Sequence, residues 1–134
     1  MHILFDEAGK LMTGRLLSEA ESSLQVELDS GKRVKVKAAN ALLRFEKPAP
    51  AQLMPAATAL AASMELELAY EFAPEDEFGF ADLAADYFSD PATTEQQVAA
   101  LICLQGAPHY FRRAGKGRYK KAPAEIVAQA LAAI

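Results

Sequence analysis

The sequence has one cysteine, no tryptophan and two histidines in 134 residues. A lone thiol excludes an intrachain disulfide, and without a Cys-x-x-Cys pair or a His/Cys cluster there is no zinc-type ligand set. Cys103 is therefore expected in the core of a soluble protein in a reducing cytoplasm. Long apolar runs are missing as well. Asp6 and Glu7 interrupt "MHILFDEAGK" where a secretory signal needs an unbroken apolar stretch, and no segment approaches the roughly 18 apolar residues of a membrane span. No membrane partner is expected.

The most telling absence is charge of one sign. Residues 48–105 hold ten Asp/Glu and not one Lys or Arg, whereas residues 1–47 hold eight basic and seven acidic groups and residues 106–134 hold six and one. The net charge of -4 and pI near 5.2 thus conceal three blocks. The middle block cannot serve as a surface for a polyanion, and only the flanks can.

Catalytic and metal-binding patterns are also lacking. His2 is terminal and His109 is expected to pack at the start of a strand. Glu75, Asp76 and Glu77 in "PEDE" have no accompanying nucleophile, base or metal-ligand spacing, so they read as the solvated start of a helix. No P-loop or dinucleotide-type glycine pattern occurs. The expected catalytic and metal-site residues are none, and this chain is expected to carry no cofactor.

What is present is a globular composition, 51% hydrophobic and 24% charged. In residues 1–47, Leu24, Val26 and Leu28 alternate with polar residues, as do Val34 and Val36. This is the period of half-buried strands, and "DSG" between them is a hairpin turn in which Gly31 supplies a positive φ. Several short antiparallel strands on so few residues would leave exposed edges and a thin core, which closure into a small SH3-like β-barrel relieves. Arg33, Lys35 and Lys37 share one strand face about 7 Å apart, a ladder that can follow phosphates or simply a solvated edge.

"EKPAPAQLMP" marks a module boundary, and residues 48–62 read as a Pro/Ala-rich linker and helix. Residues 63–134 then read as a winged helix-turn-helix domain, making the fold class α+β. "MELELAYEF" has the alternation of a strand but the composition of a helix, and is taken as helical. Phe80, Leu83, Ala84, Tyr87 and Phe88 form one helical stripe. Thr93 or Thr94 with Gln96 or Gln97 gives a capping-box signal, and Val98, Leu101 and Ile102 line the helix that Gly106 and Pro108 end.

Next comes "HYFRRAGKGRYKK", residues 109–121, with six basic side chains around two glycines. It reads as the wing, with strands at 109–113 and 118–121, ahead of a last helix from "APAEIVAQALAAI". Arg112, Arg113, Lys116, Arg118 and Lys120 are expected at its surface for backbone phosphates. Tyr110 and Tyr119, with Phe111, are expected to anchor the wing or to stack on unpaired bases. By contrast, "TTEQQVAALICLQ" carries no basic residue to read a DNA groove.

Taken together, "FEKPAP", "EFAPEDEFGFADLAADYF" and "LQGAPHYFRRAGKGRYKKAPAEIVAQAL" resemble the N-terminal region of one bacterial branch of the ribonuclease II family of 3′–5′ exoribonucleases. The resemblance covers essentially the whole chain. It implies a small barrel and a winged helix ahead of a catalytic domain, and magnesium-dependent, processive hydrolysis of single-stranded RNA by the complete enzyme. The family's metal-binding aspartate cluster has no counterpart in these residues, so magnesium is expected only in a catalytic domain outside this chain. The implied partners are single-stranded RNA and the catalytic domain of the same polypeptide. Two alternatives remain from the residues themselves: a winged-helix DNA-binding regulator, and a structural module for protein interaction.

Overall fold

The computed structural model describes residues 1–7, 10–28, 30–46, 49–115 and 117–132. The chain is α+β and divides into two compact units, Met1–Leu53 and Met54–Ile134.

The first unit is a five-stranded antiparallel sheet built from β1 (His2–Glu7), β2 (Lys10–Glu19), β3 (Ser23–Glu27), β4 (Arg33–Lys37) and β5 (Ala41–Phe45). Its order is β4-β3-β2-β1-β5, which makes β4 and β5 the edges. β1 is interior, between β2 and β5, and carries the continuous apolar run Ile3, Leu4 and Phe5, all buried, as expected of a strand covered on both faces. β3 and β4 show the alternation of strands covered on one face, with Leu24, Val26 and Val36 buried. Gly31, at φ 86°, turns the chain between them.

Register shifts between Leu16 and Ser18, and between Leu4 and Phe5, bend the sheet. The bend brings one core together: Ile3, Phe5, Leu24, Val26 and Val36, flanked by Met12, Leu16, Val34 and Ala41. Every strand contributes to it, including both edges.

α1 (Pro50–Ser63) contains the boundary between the units. The proline-rich segment is thus helical from Pro50 onward. Proline suits a first helical position because its missing N–H has no partner to lose there, and Ala, Leu and Met sustain the turns that follow.

The second unit contains α2 (Leu66–Phe72), β6 (Phe78–Gly79), α3 (Phe80–Tyr87), α4 (Thr94–Gln105), β7 (Phe111–Gly115), β8 (Arg118–Lys121) and α5 (Ala124–Ala132). Its three strands form a second antiparallel sheet in the order β6-β8-β7. The capping box at α4 belongs to Thr93 and Gln96. Thr93 Oγ1 accepts from the Gln96 N–H at 3.1 Å, and Gln96 Oε1 accepts from the Thr93 N–H at 2.9 Å. Phe80, Leu83 and Ala84 bury the apolar stripe of α3, while Val98 to Leu101, Cys103 and Leu104 are buried on α4. Cys103 packs with Met64 and Ala99, and burial pushes its thiol pKa up. Among the described residues, no helix is long and apolar enough to cross a membrane.

Candidate nucleic-acid interface

The basic hairpin is a pair of short strands joined through Gly117, whose φ of 70° needs a residue without a side chain. Arg112 pairs with Lys120 and Phe111 with Lys121, and a register shift before Gly115 sets that glycine opposite Arg118. Strand alternation then sorts the side chains. Phe111 and Tyr119 turn inward and are buried, while Arg112, Arg118 and Lys120 are exposed on the outer face. Arg113 is exposed near the tip. Lys116 lies outside the described residues.

Aromatic packing fixes the base of the hairpin. The Phe111 ring lies 6.0 Å from Phe78 in an edge-to-face arrangement, and the Tyr70 ring lies 5.8 Å from Tyr110 and 6.1 Å from Phe111. The Phe80 N–H donates to the Gly117 carbonyl at 3.0 Å, tying the turn to the start of α3.

This packing distinguishes the two roles expected of the tyrosines. Tyr110 and Tyr119 are only 5% and 4% exposed, so they anchor the wing and offer no open face for stacking on a base. Two large rings at so short a hairpin are worth more to folding when buried than when left in water. His109 is half-buried, its ring 4.7 Å from that of Tyr110.

One correction concerns the acidic run. Glu75, Asp76 and Glu77 are exposed, as expected, but they do not open a helix, because α3 begins only at Phe80. Glu77 pairs with Arg118, with Nε to Oε2 at 2.5 Å, and Glu75 pairs with Lys121 at 3.2 Å. Lys121 Nζ also sits 5.1 Å from the centroid of the Tyr70 ring. The local sequence did hint at this, since an acidic cluster precedes a basic one, but forty-one residues separate Glu77 from Arg118.

What remains on the outer face is Arg112 opposite Lys120. Among the described residues neither has an ion-pair partner. Two like charges directly across a strand pair repel, with Cβ atoms roughly 5 Å apart. An anion placed between them would relieve that repulsion.

The first unit presents the other expected ladder. Arg33, Lys35 and Lys37 are exposed on β4, and their partners across the sheet are Glu27, Gln25 and Ser23. Arg33 Nε lies 3.9 Å from Glu27 Oε2, so this row is partly compensated within the sheet. It also sits on an edge strand, where lysine discourages pairing with other chains. Among the described residues, no three His, Cys, Asp or Glu side chains converge to hold a metal ion.

Comparison with protein-family models, with curated proteins and with solved structures finds no match to this chain.

Proposed function

We propose that the chain is the N-terminal accessory region of a ribonuclease II family 3′–5′ exoribonuclease, and that its wing holds or guides single-stranded RNA. The observation that carries the RNA-binding part is the Arg112–Lys120 pair on the outer face of the hairpin, which has no ion-pair partner among the described residues. Arg113 and Arg118 lie on the same hairpin, and every other basic group of the second unit belongs to it too. The magnesium-dependent chemistry belongs, in this reading, to the catalytic domain of the same polypeptide, and the present residues supply none of it.

Two features of the fold support the reading. The order α2, β6, α3, α4, β7, β8, with β6 pairing to β8, is consistent with a winged helix-turn-helix. The bent five-stranded sheet, with both edge strands reaching one core, suits an SH3-like barrel. The DNA-regulator alternative is weaker here, because six residues of α4 are buried and the helix has no basic side chain to place in a groove.

The test is titration of fluorescent single-stranded RNA at several salt concentrations against the chain and an Arg112→Glu, Lys120→Glu variant. Single-strand binding loses about 0.7 in logarithmic salt slope per phosphate contact removed, so the variant should lose about 1.4 and bind more weakly. Equal slopes and equal affinities would refute a role for the wing.

A further inference from the structure

The second unit also carries a groove of about 300 Å³ between α2 and α5. Glu67, Tyr70 and Glu71 stand at i, i+3 and i+4 on α2 and form one wall. Ala124, Val127, Ala128 and Leu131 recur at i, i+3, i+4 and i+7 on α5 and form the other. A stripe of that period normally lies against a core. Here only Val127 is buried, and Leu131 is 41% exposed.

The floor is already fixed. The Tyr70 hydroxyl donates to the Ala122 carbonyl at 2.6 Å, and the Tyr70 ring meets Tyr110 edge-on. The carboxylates beside it are uncompensated: Glu75 holds Lys121, but among the described residues Glu67 and Glu71 have no cationic partner. The groove therefore combines an open apolar stripe with two carboxylates one helical turn apart.

We propose that this groove docks an amphipathic helix of a protein partner, with apolar anchors at i, i+3 or i+4, and i+7 flanked by Lys or Arg facing Glu67 and Glu71. Charge selects this occupant. A polyanion would be repelled by the two carboxylates. A helix from a second copy fails as well, because none of the five α-helices among the described residues contains a Lys or Arg. The proposal is independent of the RNA-binding reading, since it uses none of the wing's outer face.

The test is selection from a displayed library of helical peptides against the full chain, followed by affinity measurement on the enriched peptides. The expected consensus has apolar anchors at helical spacing with basic flanks. Its binding should fall about tenfold or more with Glu67→Lys, Glu71→Lys, where two attractions become repulsions, and with Leu131→Glu. Arg112→Glu, Lys120→Glu should leave it unchanged. Each altered side chain is exposed, and far-UV circular dichroism checks that each variant is folded. The proposal is overturned if no peptide is enriched, if the consensus is acidic, or if enriched peptides ignore the groove substitutions. Self-association in ultracentrifugation that Leu131→Glu abolishes would also overturn it, by giving the groove to a second copy.

Discussion

Glu77 accepts from Arg118 Nε at 2.5 Å, joining the acidic block of the chain to the basic hairpin that follows it forty-one residues later. The contact holds one of the wing's cations against its own unit. Both side chains are about half exposed, so its contribution to stability is below about 1 kcal/mol. Its larger effect is on the charge that the hairpin presents.

If the wing contacts RNA, Glu77→Gln should release Arg118 and tighten binding. The salt slope should steepen by about 0.7, the increment for one additional phosphate contact on a single strand. The fold should be almost untouched. Titration of single-stranded RNA at several salt concentrations checks this, and an unchanged slope would mean that Arg118 does not reach the strand.

The wing's anchorage makes a separate prediction. Phe111 is fully buried against Phe78, Tyr70 and Tyr110, at the point where the hairpin joins the helices. Phe111→Ala should cost about 3–5 kcal/mol, combining lost burial with the cavity left behind. Arg112→Ala, on the outer face of the same strand, should cost less than about 0.5 kcal/mol. Chemical denaturation of both variants gives the comparison, and similar losses would contradict the assignment of inner and outer faces.

Much of the local structure was legible because it is encoded in neighbouring residues. The alternation in β3 and β4, Gly31 in their turn, the stripe of α3 and the Thr93/Gln96 box each depend on spacings of two to four residues. The basic outer face of the hairpin could be read for the same reason, since Arg112, Arg118 and Lys120 alternate with buried rings. What escaped depends on distant partners. β6 is two residues long, too short for any period, and exists only because Phe78 pairs with Tyr119. The pairing of Glu75 and Glu77 with the basic hairpin is likewise set by how the segments meet. The groove between α2 and α5 was hidden because a stripe such as Ala124, Val127, Ala128 and Leu131 reads as core unless its surroundings are known.

Acid should act on the first unit through Glu19. Arg44 Nη1 and Nη2 contact the Glu19 carboxylate at 2.5 and 2.8 Å, linking β2 to β5. The hydrogen bond from Arg44, reinforced by its charge, holds the Glu19 pKa below the ordinary 4.5. A carboxyl depressed in the folded state binds its proton more readily when unfolded. Its contribution is therefore complete above about pH 4.5 and is lost as the pH falls through the lower folded value. Urea midpoints of the chain and of Glu19→Gln should differ at pH 7 and converge on acidification. A gap that stays constant with pH would show that the pair does not titrate with folding.

Close packing of the first sheet depends on Gly14, in the middle of β2 and paired with Ile3. Its φ is not in the left-handed region, so what glycine provides here is space. A Cβ at this position would collide with Cγ1 of Val26 and come within 2.9 Å of the Glu27 carbonyl oxygen. Val26 is fully buried in the core and has little room to move. Gly14→Ala should cost about 1–3 kcal/mol from overpacking. That exceeds the gain of about 0.4–1 kcal/mol expected from a less flexible unfolded chain. If the collision with Val26 is the cause, the cost must depend on that side chain. In a Val26→Ala background, where the γ carbons are gone, the same substitution should cost measurably less, and a double-mutant cycle from denaturation midpoints gives the coupling. An equal cost in both backgrounds would place the constraint on the Glu27 backbone, and no cost in either would show that the sheet has room for a side chain at position 14.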